Sequence, residues 1–194
     1  VLDIAVSDVS GHGMGSALLM ASTHTLLRLL ARTPSTLDGI VHQANLFLSE
    51  ETLDDQFVSM LLLELDARTG LVSFVSAGHP AAYIMDGDGK VKARLERTGP
   101  LLSIDAEASF PAGLPVKMEP GDVLLALTDG VLEARRRDGQ DFGEGRTLAT
   151  LRKVRNEKAE VITRAIYDAV LDFRSKPCLE DDVTLVVIKD TRPA

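Results

Sequence analysis

Between Phe57 and Glu96 the chain breaks into short strand-sized runs, while the segments on either side carry a helical period. "FVSMLLLEL", "LVSFVSA", "AAYIM" and "KVKARLE" are separated by "DARTG", "GHP" and "DGDG", all of it turn material, and the spacing predicts an antiparallel meander. Upstream, "VLDIAVS" alternates Leu2, Ile4 and Val6 with Asp3, Ala5 and Ser7, a strand with one better-buried face. Met14 to Leu30 is apolar almost all round, which predicts a helix sandwiched between layers. After Pro34 a second helix is expected, with Ser35 as N-cap and a stripe of Leu37, Ile40, Val41, Ala44, Phe47 and Leu48. Downstream, "LPVKMEPGDVLLALTDG" reads as two strands around "EPGD". Helices are expected near Phe142–Arg155 and Ala159–Phe173, and "DDVTLVVIKD" closes the chain as a strand. Helices thus fall in two pairs between runs of antiparallel strands, which argues for an α+β fold rather than a doubly wound βαβ one.

Composition narrows the function. The 194 residues hold 21 basic and 29 acidic side chains, a formal charge of −8, which disfavours a nucleic-acid partner and suits hard divalent cations. The single cysteine, Cys178, excludes an internal disulfide and a cysteine zinc cluster, and fits a reducing compartment. No apolar run reaches membrane-spanning length, so no membrane insertion and a cytoplasmic location are expected. The chain opens in mid-element, which reads as a piece of a longer protein.

Three acidic turns share one form. Asp8 ends the first strand before "VSGHG", Asp129 follows "VLLALT" before Gly130, and Asp181 and Asp182 precede "VTLVVI". Acids at strand ends can leave the core and converge on a common rim, where their mutual repulsion calls for a compensating cation. Mg²⁺ or Mn²⁺ is the occupant that such oxygen ligands favour. For any one acid alone, a polar turn residue is the better reading.

"SDVSGHGMGSALLMA", "FVSMLLLELDARTGLVSFVSAGHPAAYIM", "TGPLL", "MEPGDVLLALTDGVLEARRRDGQDFGEGR" and "EDDVTLVVIK", in this order over nearly the whole chain, resemble the SpoIIE-type branch of the PPM metal-dependent serine/threonine phosphatases. The resemblance implies a four-layer α-β-β-α sandwich, two antiparallel sheets packed face to face with helix pairs outside. It implies hydrolysis of phosphoserine or phosphothreonine on a protein, with two Mn²⁺ or Mg²⁺ ions activating the attacking hydroxide. The substrate it suggests is an anti-anti-sigma factor, and it suggests a sensor or receiver domain elsewhere in the full-length protein. Asp8 then matches a bridging aspartate, Val9 offers its backbone carbonyl, Asp129 serves a second metal and Asp181 is the last ligand, with Asp182 as the alternative register. Gly11 and Gly13 turn the backbone away from the metal rim, and with His12 and Gly130 they lie near the phosphate.

The chain departs from that family in one way that matters. A further aspartate is usual in a "GGD-aromatic-x-D" strand ahead of the first strand seen here, and Asp3 is no substitute because it lies inside the second. The expectation is therefore a single phosphatase domain over residues 1–194 without its N-terminal strand or strands, weak or inactive as a fragment. The alternative is a degenerate, non-catalytic module that binds a partner or transmits a signal. A nucleotide pocket built on "DVSGHGMG" is a third reading, but it leaves "TDG" and "EDDVT" unexplained. Ser7 and Ser103 stand where glycine is common in the family. His12 is read as structural rather than as a proton donor and His79 as bracing a turn; His24 and His42 are packing or surface residues. Arg135–Arg137 form a solvated face, and Met14, Met20, Met60 and Met118 fill the core.

Overall fold

The structure, a computed structural model, describes residues 1–52, 56–174 and 182–193. Two compact units emerge: Val1–His79 with Leu95–Lys117, and Pro80–Arg94 with Met118–Ala194. Each holds one four-stranded sheet and its own helices, so the α+β expectation is met.

In the first unit, β1 (Leu2–Val9), β2 (Val58–Asp66), β3 (Leu71–Ala77) and β6 (Val116–Lys117) form a sheet in the order β1-β2-β3-β6, every pair antiparallel. Helices α1 (Met14–Leu30) and α2 (Leu37–Glu51) pack on it. The stripe of α2 holds except at one position: Ile40, Val41 and Leu48 are buried with Val58, Met60, Leu62 and Val75, Ala44 is buried and Leu37 partly so, whereas Phe47 is 39% exposed at the edge of the stripe. Each large side chain buried in this way contributes about 1.5–3 kcal/mol. The N-cap of α2 is Thr36 rather than Ser35, one residue later than its sequence suggests. There is a larger correction at α1, which is not sandwiched. Leu19 and Thr23 are buried, Met20, Leu27 and Leu30 partly so, whereas Met14 and Leu18 are 77% and 62% exposed. One stripe of an all-round apolar helix faces the core, so Met14 is not core filler, although Met60 and Met118 are.

The loop after "TGPLL" is tied to α2 by Asn45, which is fully buried. Its Nδ2 donates to the carbonyls of Asp105 (2.9 Å) and Ala106 (3.3 Å), and its Oδ1 accepts from the Ser103 amide (2.9 Å). Ser103 has φ 70°, the left-handed backbone that explains why glycine is common there, and its hydroxyl donates to the Gln56 carbonyl at 2.9 Å.

In the second unit, β4 (Ala82–Met85), β5 (Val91–Leu95), β7 (Val123–Leu127) and β8 (Leu185–Lys189) follow the order β5-β4-β7-β8. Helices α4 (Gly143–Val154) and α5 (Ala159–Phe173) bury Leu151, Ile162, Ile166 and Val170 with Tyr83, Met85, Val123 and Leu125. The expected meander is therefore split: β2 and β3 belong to one sheet, β4 and β5 to the other. The switch falls at Gly78-His79-Pro80. Gly78 has φ 64°, and its backbone lies so close to Leu101 that a β-carbon would stand 2.5 Å from Leu101 Cδ2 and 2.9 Å from its amide nitrogen. The "TDG" turn is also more than a turn, because Asp129 opens a short helix, α3 (Asp129–Leu132).

Candidate functional site

Asp8 lies in β1 one residue before its end, which falls at Val9, and is half-buried. It stands directly opposite Ser59 of β2, and Val9 stands opposite Val58. The chain then leaves the strand through Gly11 (φ 79°) and Gly13 (φ 91°), both in backbone that L side chains rarely adopt, and Gly13 is the N-cap of α1. Ser16 Oγ closes this turn by donating to the Ser10 carbonyl at 2.9 Å. His12 is exposed between the two glycines.

Asp129, half-buried, and Gly130, buried, begin α3 in the second unit. Their place is set by Thr128, whose contacts zip the end of β7 to the approach to β8. The Thr128 amide donates to the Thr184 carbonyl (3.2 Å), the Thr184 amide donates to Thr128 Oγ1 (3.0 Å), and that hydroxyl donates to the Asp182 carbonyl (3.3 Å). Asp129 and Asp182 are thereby brought to neighbouring strand ends. Asp181 lies outside the described residues, as does Cys178. Asp8, Val9, Gly11, His12 and Gly13 belong to the first unit; Asp129, Gly130 and Asp182 belong to the second.

The donor set is chemically suited to a hard divalent ion, being carboxylates and a backbone carbonyl. Among the described residues, no three histidine, cysteine or acidic side chains gather closely enough to hold an ion, so these residues do not complete a metal site by themselves.

Other expectations resolve locally. Arg135 pairs with Asp141 (2.8 Å) and Arg136 with Asp138 (2.6 Å), while Arg136 and Arg146 both stack on Phe173. The Arg136 guanidinium holds the Asp138 carboxyl below its ordinary pKa. Two arginines of the run thus have partners within the loop, in keeping with a solvated face. His24 and His42 are at the surface. His79 does brace its turn: it is fully buried, with Nδ1 2.8 Å from Ser59 Oγ. The sequence reading passed over Ser59 and Thr128. For Ser59 the available signal was a lone polar residue before the apolar run "MLLL"; for Thr128, a threonine preceding the acid-glycine turn.

The family model described as Stage II sporulation protein E (SpoIIE) matches residues 1–190. The chain belongs to the SpoIIE family. Among its relatives, the phosphoserine phosphatase RsbU of Bacillus subtilis is 25% identical over 189 residues, covering 97% of this chain and 55% of RsbU. The SiaA-PP2C domain of Pseudomonas aeruginosa shares the fold with a TM-score of 0.82 at 19% identity, over 96% of this chain and 75% of that one. The catalytic domain of the serine/threonine phosphatase PstP, solved in complex with two manganese ions, has a TM-score of 0.68 at 16% identity, over 95% of this chain and 86% of that one. The fold is thus that of the PP2C-type, or PPM, phosphatases. The chain spans 33% and 55% of the curated relatives Protein IcfG, from Synechocystis, and RsbU. No helix among the described residues is long and apolar enough to cross a membrane.

Proposed function

We propose that this chain is the metal-dependent phosphatase module of a longer bacterial signalling protein, which carries a sensor or receiver domain. It removes phosphate from serine or threonine of a phosphoprotein, an anti-anti-sigma factor being the substrate class the family suggests. The observation that carries the reading is the Thr128 zipper, which sets Asp129 beside Asp182 at two strand ends within a chain matched by the SpoIIE model over residues 1–190. In this reading Asp8, the Val9 carbonyl, Asp129 and Asp181, or Asp182 in the alternative register, hold two Mn²⁺ or Mg²⁺ ions. PstP, solved with two manganese ions, supports that number. Bound there, such ions lower the pKa of a shared water and neutralise phosphoryl charge. The chain's own part is to hold the carboxylates in place. Gly11 and Gly13 carry the backbone out of the way, leaving the N-terminus of α1 and exposed His12 on the substrate side.

Mn²⁺ titration by calorimetry tests this, on the chain and on Asp129→Asn, with hydrolysis of p-nitrophenyl phosphate followed in parallel. Saturable binding is expected, weakened about tenfold or more in the variant, as is usual when a metal site loses a partner. Absence of binding in the unaltered chain would overturn the metal reading. Binding without turnover would favour the non-catalytic module.

A further inference from the structure

Beside Asp8 lies a polar array, its histidine buried and its two serines partly so, that the phosphatase reading does not use. Residues directly opposed in an antiparallel ladder share a face, with β-carbons about 4.5–5.5 Å apart. Ser59 is therefore the side chain that β2 sets beside Asp8. Ser59 is held from two sides: Ser7 Oγ donates to its carbonyl at 2.9 Å, and its own hydroxyl lies 2.8 Å from His79 Nδ1. The imidazole is fixed in turn. The chain leaving β3 is bridged at Gly78 to Met60, and the Gly78 amide donates to the Gly99 carbonyl at 3.0 Å. Burying an imidazole, here fully, is costly compared with an apolar side chain of similar size. A polar task for the ring accounts for that cost.

We propose that His79 and Ser59 form a positioning relay for Asp8. His79 donates from Nδ1 to Ser59 Oγ, which leaves the serine proton directed at the Asp8 carboxylate and holds that carboxylate in a single rotamer. The inference rests on Asp8 being a metal ligand only for its consequence, tighter metal binding. The relay itself belongs to the metal-free protein.

The test combines NMR of the metal-free chain with Mn²⁺ calorimetry on Ser59→Ala, His79→Leu and His79→Asn. Long-range ¹⁵N couplings should show His79 neutral and protonated on Nδ1, and three-bond couplings to Asp8 Cγ should show one χ1 rotamer. In Ser59→Ala and His79→Leu those couplings should average, and Mn²⁺ affinity should fall about tenfold, the usual scale for a partner outside the ligands themselves. In His79→Asn, whose amide can donate from the Nδ1 position, both should recover, which loss of packing alone would not produce. If His79→Leu does not fold, Ser59→Ala decides. Asp8 couplings unchanged in the variants would overturn the relay, whatever Mn²⁺ does. Averaged couplings in a chain that never binds Mn²⁺ would leave the relay standing and remove the metal reading.

Discussion

Asn45→Ala tests whether one buried amide holds the loop after "TGPLL". The side chain, fully buried on α2, makes three hydrogen bonds to backbone, to the carbonyls of Asp105 and Ala106 and from the amide of Ser103. Each such bond contributes about 0.5–1.5 kcal/mol net, and buried backbone groups left unpaired cost more than the bond itself was worth. Three bonds at about 1 kcal/mol each give a loss near 3 kcal/mol. Loop movement that re-exposes the carbonyls to water would lower this to about 2 kcal/mol. Ser103 raises the stakes. Its left-handed backbone costs about 1–2 kcal/mol, which the Asn45 bond and the Gln56 bond together offset. The assay is urea unfolding followed by far-ultraviolet circular dichroism, because the chain has no tryptophan and both its tyrosines, Tyr83 and Tyr167, lie in the second unit. Asn45→Asp serves as a control: it keeps the acceptor for Ser103 but turns a carboxylate towards two carbonyls, so it should be at least as destabilised as Asn45→Ala near neutral pH. A loss below about 1 kcal/mol for Asn45→Ala, with an unchanged urea slope, would refute the accounting.

Gly78→Ala should cost about 3 kcal/mol or more, since left-handed backbone penalises alanine and the new methyl would overlap Leu101, including its amide nitrogen. Urea denaturation measures it, and a loss under about 1 kcal/mol would mean that the backbone relaxes there freely. Asp190 gives a pH dependence. The Arg192 guanidinium holds its carboxyl below the ordinary value, against the opposing effect of burial. A depressed folded pKa means that the ionised group supports the fold above its unfolded value of about 4 and that this support drains as the pH falls further. The Tm of the unaltered chain should therefore drop more between pH 5 and 3 than that of Asp190→Asn; parallel curves would refute the assignment.

Much of this molecule was legible in its sequence, and what escaped has a common physical cause. The stripe of α2 and the short runs of the sheets are local signals, because period and turn chemistry act over a few residues, and α5 runs over the Ala159–Phe173 span its pattern predicts. The switch between sheets at Gly78-His79-Pro80 was not legible: which sheet a strand joins depends on partners distant in the chain, and "AAYIM" pairs with β7 some forty residues on. The burial of α1 was misread for a related reason, because apolar composition states what a helix tolerates rather than what covers it. The acids of the candidate site were legible as types, since a carboxylate at a strand end is conspicuous in sequence. What orients them was not. Thr128 reaches across to Thr184 and Asp182, and Ser59 stands opposite Asp8 because the ladder register places it there. In sequence these two are ordinary hydroxyl residues, one within β2 and one just past the end of β7, and their roles appear only once the long-range pairing is known. The residues that would touch a metal can therefore be nominated from the sequence, whereas those that would set its affinity must be read from the ladder.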